Sequence, residues 1–199
     1  MKDYFYSQST DQLLQLTKKP SHISILLDIK EENILIKEII KVIKWSIQYQ
    51  LNYCSFFIQD LSWLKVYKLL KIKFGDKCEL KEDKWMKINL KDGEINLILF
   101  DKYDSVKDIQ LITKSLKVNI NQNDKEKLYN VITEKIININ TPEVNLIISS
   151  YNPIQLIGYP PLRLRMAEIT HNPFKGQIYY VTFLNALHTY SISTQRCGK

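Results

Sequence analysis

Residues 22–28, His-Ile-Ser-Ile-Leu-Leu-Asp, form a short apolar run rich in β-branched side chains, the pattern of a strand buried on both faces. From Glu31 to Gln50 the period changes. Ile36, Ile39, Ile40, Ile43 and Ile47 recur at three and four while Lys37, Lys41 and Lys44 fall on the opposite side, which predicts an amphipathic helix. The alternation then repeats. Tyr53 to Gln59 is a second buried strand, and Asp60 can cap a helix through Leu61, Leu64, Tyr67, Leu70 and Lys73 that ends at Gly75. Buried strands separated by helices need long crossovers, so the chain is constrained to an α/β fold: a mainly parallel central sheet flanked by helices on both faces.

The rest of the chain extends that pattern with less regularity. Cys78 to Leu90 is ambiguous, with an edge strand one reading; Lys91-Asp92-Gly93 is a turn, and Glu94 to Phe100 is a strong strand, so a hairpin fits. Thr10 or Asp11 can cap a short helix carrying Leu13, Leu14 and Leu16, and Lys19-Pro20 ends it. Ser105 can cap a helix with Val106, Ile109, Ile112 and Leu116 on one face, and Asp124 another with Leu128, Val131, Ile132 and Ile136. Val144 to Ile148 reads as strand. Pro160-Pro161 opens a predicted helix through Leu162, Met166 and Ile169 that stops by Asn172-Pro173; Ile178 to Val181 is a last predicted strand, and Thr182 begins a helix towards Ser193. At 199 residues the chain is short for two domains, so a single domain over 1–199 is expected, with 194–199 as a terminal tail.

Several function classes fall away on motifs. No Gly-x-x-x-x-Gly-Lys-Ser/Thr, Gly-x-Gly-x-x-Gly or Gly-x-Ser-x-Gly is present, so the familiar phosphate cradles and the hydrolase elbow are missing. Cys54, Cys78 and Cys197 make an odd count without a Cys-x-x-Cys pair, which suits a reducing compartment. His22, His171 and His188 stand at no metal-ligand spacing and receive no role. No apolar run reaches the ~18 residues of a membrane-spanning helix, and residues 1–10 are too polar for a signal peptide.

The net charge of +7 is unevenly placed. All three arginines, Arg163, Arg165 and Arg196, lie in the last 37 residues, and from Pro160 onward five basic side chains face one acid, Glu168. An anionic ligand is therefore expected at this end. The final Gln195-Arg196-Cys197-Gly198-Lys199 reads either as a frayed end or as a diphosphate grip. In the second reading the arginine fork binds in bidentate fashion, the glycine lets a backbone N–H approach, and Cys197 is a spacer. Nucleic acid is disfavoured because arginines and aromatics do not interleave on one predicted face.

Three stretches together carry a resemblance. Gly158-Tyr159-Pro160-Pro161-Leu162-Arg163-Leu164-Arg165-Met166-Ala167-Glu168-Ile169, then Phe183-Leu184-x-Ala186-Leu187-x-x-Tyr190, then Gln195-Arg196-x-Gly198-Lys199 look like the Nogo-B receptor type of subunit. Pro20-x-His22-Ile23-x-Ile25 resembles that family's first strand. The family supplies the non-catalytic partner in dehydrodolichyl diphosphate synthase, a two-subunit cis-prenyltransferase. Catalytic relatives follow strand 1 with Asp-Gly-Asn-Gly-Arg-Trp, a loop holding the allylic diphosphate near Mg²⁺; here Asp28 is followed by Ile29-Lys30-Glu31-Glu32. They also carry an Arg-x-Ser-Gly-Glu-x-Arg stretch where this chain has Ser149-Ser150-Tyr151-Asn152-Pro153-Ile154-Gln155-Leu156.

The resemblance implies a chain with no catalytic or metal-binding residues of its own. It further implies that Arg196 and Gly198 complete an isopentenyl diphosphate site in a catalytic partner that holds most of the Mg²⁺. Leu162, Arg163, Arg165, Met166 and Ile169 would contact that partner in a heterodimer or heterotetramer. Asp28 and Glu168 fall where catalytic relatives place acids near the metal; the plainer expectation is a strand-end acid and a Glu168 paired with Arg165 one helical turn away. By the same resemblance the complex elongates allylic diphosphates for dolichol synthesis and protein glycosylation at the cytoplasmic face of the endoplasmic reticulum, held peripherally at the membrane through the partner. The rival expectation is a scaffold or receptor-like binding module on the same fold with no part in prenyl transfer.

Overall fold

The structure, a computed structural model, describes residues 16–59, 62–82, 84–119, 142–156, 158–164, 167–174 and 176–194. Residues 10–15 of the first predicted helix and the whole helix predicted after Asp124 fall outside those residues, and residues 16–20, where the first was expected to end, are not helical. β1 (His22–Leu26) is buried at every position and lies between β2 (Tyr53–Ile58) and β6 (Leu146–Ser149), parallel to both. β5 (Gly93–Asp101) continues the parallel set beside β2, and β7 (Glu168–His171) closes the far side along β6. β3 (Cys78–Glu82) and β4 (Trp85–Leu90) form the ambiguous region, and both pair antiparallel, giving the order β3-β4-β5-β2-β1-β6-β7. In β4, buried Met86 and Ile88 alternate with the more exposed Trp85, Lys87 and Asn89, the period of a half-covered strand.

Helices α1 (Glu32–Gln48) and α2 (Trp63–Phe74) follow β1 and β2 and pack on one sheet face with α4 (Tyr180–Ile192). Leu35, Ile39, Val42 and Ile43 of α1 meet Ile23 and Ile25 there, and Trp45 packs on Phe183 of α4. Helix α2 ends at Gly75, whose φ of +57° suits the residue without a Cβ; its N-cap is Ser62, whose side chain accepts from Lys65 N–H, while Asp60 lies outside the described residues. The other face holds Leu26, Phe57, Phe100, Ile147, Tyr151 and Tyr159, with α3 (Asp104–Asn119) alongside through Asp108 and Arg163.

Two expectations need correction. The helix predicted over Leu162–Ile169 is a single 3-10 turn, Pro161–Arg163, followed by strand β7. Leu162, Met166 and Ile169 have helical spacing, but β6 has an outer edge whose backbone groups need partners, and Glu168–His171 supply them in register with Leu146–Ser149. The strand predicted at Ile178–Val181 is also absent. Ile178 N–H donates to the carboxylate of Glu38 on α1 instead of to a neighbouring strand, and α4 begins at Tyr180.

His22 makes the sheet sensitive to acid. Its Nδ1 lies 2.9 Å from the Pro142 carbonyl and its Nε2 2.9 Å from Ser55 Oγ, so a neutral ring donates to the first and accepts from the second. Burial pulls its pKa from 6.5 down to about 4. The unfolded chain therefore takes up this proton before the folded one does. The associated stability is complete above pH 6.5 and falls by about 3 kcal/mol as pH drops to 4. Urea midpoints of the wild type are expected to fall across that window more steeply than those of His22→Gln; equal slopes would show that another group is responsible.

Candidate functional site

In open parallel sheets the loops leaving the carboxyl ends of the strands are where ligands are met. Here that edge is formed by the segment after β1, the segment after β6 and the loop after β7. Asp28 N–H donates to Ser150 Oγ at 2.9 Å, and Ser150 N–H donates to the Leu26 carbonyl at 2.9 Å, so the exits of β1 and β6 are tied together.

The loop between β7 and α4 lies directly on that exit. Fully buried Asn172 shapes it by donating from Nδ2 to the carbonyls of Phe174 and Gln177. Gly176 has a φ of +74°, and a Cβ at that position would stand 3.0 Å from the Asp28 carbonyl, so only glycine lets the loop approach so closely. Its far end is held by Glu38: Oε2 accepts from Ile178 N–H at 3.1 Å and Oε1 pairs with Lys41 at 2.7 Å. Gly176, between the anchors Asn172 and Ile178, thus sits against the backbone that leaves β1.

The two acids compared with metal ligands do not meet. Register places Glu168 beside Leu146, and Leu146 beside Ile23, five residues before Asp28. At ~3.3 Å per residue this separates the two acids by roughly 16 Å along the strands, too far to share an ion. Glu168 accepts a hydrogen bond from Ser193 Oγ and is in a strand, which corrects the expected helical pairing with Arg165. Among the described residues no group of three His, Cys, Asp or Glu could hold a metal. Asp28 and Glu168 therefore do not fit a shared Mg²⁺.

A second polar centre, which sequence reasoning missed, lies at the carboxyl end of β5. Lys84, with only 6 % of its surface exposed, places Nζ 2.8 Å from Asp101 Oδ2 and 2.6 Å from Asp104 Oδ1. Asp104 Oδ2 accepts from Asp101 N–H at 2.7 Å, and Asp101 Oδ1 from Tyr103 N–H at 2.9 Å. Beside them Arg163 Nε lies 3.7 Å from Asp108 Oδ2, and its guanidinium 5.7 Å from the Phe100 ring centre. Burial raises the Asp108 carboxyl and lowers the Arg163 guanidinium, each opposed by the other's charge.

The proposed contact residues fare differently. Arg163 is buried and turned towards Asp108, so its charge is spent within the chain and is not presented to an external anion. Leu162 lies in the 3-10 turn, and Ile169 is exposed on β7, which among the described residues is the outermost strand on its side of the sheet. Arg165, Met166, Arg196, Cys197 and Gly198 lie outside the described residues. A signal for the loop anchor was present: Glu38 sits among Leu35, Ile39 and Val42 on the apolar side of α1, where an acid needs a partner.

The sequence is similar over nearly its whole length to the dehydrodolichyl diphosphate synthase complex subunit nus1 of Schizosaccharomyces pombe. The two are 27% identical over 213 residues, which cover 92% of this chain and 79% of that protein. No protein-family model matches the sequence. Among solved structures, a probable undecaprenyl diphosphate synthase from Campylobacter jejuni superposes with a TM-score of 0.59 at 16% identity, over 91% of this chain and all of that one. Lavandulyl diphosphate synthase from Lavandula x intermedia, solved with dimethylallyl diphosphate, gives 0.57 at 12% identity over 89% of this chain and 98% of that one. The chain has the cis-prenyltransferase fold.

Proposed function

We propose that this chain is the non-catalytic subunit of a heteromeric cis-prenyltransferase of the dehydrodolichyl diphosphate synthase type. The observation that carries this reading is the similarity across 92% of the chain to nus1, a subunit of the dehydrodolichyl diphosphate synthase complex. The exit of β1 supports it. Asp28-Ile29-Lys30-Glu31 contains no glycine to bring backbone N–H groups onto a diphosphate, and Gly176 lies against the same backbone. The separation of Asp28 from Glu168 argues further that Mg²⁺ is held by a partner.

In this proposal the chain elongates nothing alone. The partner binds the allylic diphosphate and Mg²⁺, and the tail of this chain contributes Arg196 and the Gly198 N–H to isopentenyl diphosphate. β7, with exposed Ile169, and the neighbouring Leu162, Arg165 and Met166 belong to the contact between subunits. Dolichol synthesis at the endoplasmic reticulum is the setting that fits such a complex. No helix among the described residues is long and apolar enough to cross a membrane.

The test is incorporation of radiolabelled isopentenyl diphosphate in detergent by the purified chain, by a catalytic cis-prenyltransferase subunit, and by the two together. The chain alone is expected at background, and the pair at least about tenfold above the catalytic subunit alone, the order expected when donors aimed at a transferring group are supplied. Turnover by the lone chain would overturn the non-catalytic assignment. No gain on mixing would favour a scaffold.

A further inference from the structure

We propose that the outer face of α2 is a docking surface for an anionic phospholipid bilayer. This does not depend on whether the chain supports prenyl transfer. Helix α2 carries four lysines, Lys65, Lys68, Lys71 and Lys73, and no acid. Its inner side is satisfied, with Val66 and Leu70 buried and Trp63, Tyr67 and Phe74 packed against the same core. On the outer side Leu64, Lys68 and Ile72 recur at steps of four, one above another. Leu64 is 45 % exposed and Ile72 78 %. Two large aliphatic side chains in water, separated by a lysine, form a stripe that the core of this chain does not use.

The chemistry of the stripe selects the occupant. Lys65 borders it, sharing its charge with Glu32 of α1, and Lys71 borders it on the other side, 4.0 Å from Asp76. Beside α2 on the same sheet face, α1 adds exposed Lys37 and Lys44. Lysine is depleted from the centres of protein–protein contacts. Single-stranded nucleic acid is gripped by aromatic and arginine planes, and the exposed outer face of α2 has neither. Aliphatic side chains that enter the acyl boundary, with flexible ammonium groups reaching headgroup phosphates, suit a bilayer surface. Each lysine held near an anionic membrane strengthens binding about fivefold, an effect confined to a Debye length.

The experiment is flotation of the full chain with vesicles of phosphatidylcholine alone or with 30% phosphatidylserine, at low and high salt. Binding is expected only to the anionic vesicles and only at low salt. Lys65→Gln with Lys68→Gln is expected to weaken it on the order of 25-fold, and Leu64→Ser with Ile72→Ser about tenfold. Lys37→Gln with Lys44→Gln, on the neighbouring helix, is expected to cost less than the α2 lysine pair. All variants should keep the wild-type circular dichroism and melting profile, because none of the six side chains is in the core.

Equal binding to neutral and anionic vesicles, or equal losses from the α1 and α2 lysine pairs, would overturn the proposal. So would capture of a single-stranded RNA probe by the same lysines in place of vesicles. Isopentenyl incorporation by the detergent-solubilised pair should be unchanged by the α2 variants, which separates failure of this surface from failure of the prenyl-transfer reading.

Discussion

Arg196→Ala is expected to lower isopentenyl incorporation by the reconstituted pair about a hundredfold, the usual cost of deleting one pre-organised donor from a site where charge is transferred. In the proposed arrangement the guanidinium fork engages the diphosphate through two parallel N–H donors, and an ammonium cannot reproduce that geometry. Arg196→Lys is therefore expected to recover only part of the loss, with a raised KM for isopentenyl diphosphate and an unchanged KM for the allylic substrate. Deleting residues 196–199 should equal or exceed the alanine substitution. The check is initial-rate kinetics on the purified pair, with size-exclusion chromatography to show that the subunits remain associated. Full turnover by the truncated pair would remove the tail from the mechanism while leaving the subunit assignment standing.

The second large effect concerns folding. Lys84→Met leaves Asp101 and Asp104 as buried, closely spaced carboxylates without their cation, and loss of one member of such a group costs about 3–5 kcal/mol. Adding Asp101→Asn and Asp104→Asn to Lys84→Met should restore much of the stability at pH 7. Urea titrations of the three proteins measure this directly; a Lys84→Met midpoint within error of wild type would mean that water already reaches the cluster.

Different parts of the molecule were legible for different reasons. β1, α1, β2 and the Gly75 stop of α2 each carried an unbroken local signal, a β-branched run or a 3.6-residue period, and tertiary packing agreed with it. Leu162–Ile169 carried a local signal that packing overruled, because hydrogen bonding along the edge of β6 outweighs three apolar residues at helical spacing. The concentration of arginine near the end of the chain was real, yet charge counting could not foresee that Arg163 would be buried against Asp108, a residue 55 positions earlier. Lys84, Asp101 and Asp104 escaped notice for the same reason. Their meeting is made by the hairpin, and in the sequence they are ordinary surface residue types. The departure after Asp28 was legible at once, whereas the approach of Gly176 to the Asp28 carbonyl needed the fold.

The position of β1 has a consequence for synthesis. One flank meets β2 soon after both leave the ribosome, but the partner on the other flank, β6, is made about 120 residues later. At ~5–20 residues per second the nascent chain waits roughly 6–24 s with that strand edge unpaired. Until β6 is made, a bare edge beside Ile23, Ile25 and Leu26 is a template for pairing with other chains. Truncation before Leu146 would turn a temporary exposure into a permanent one.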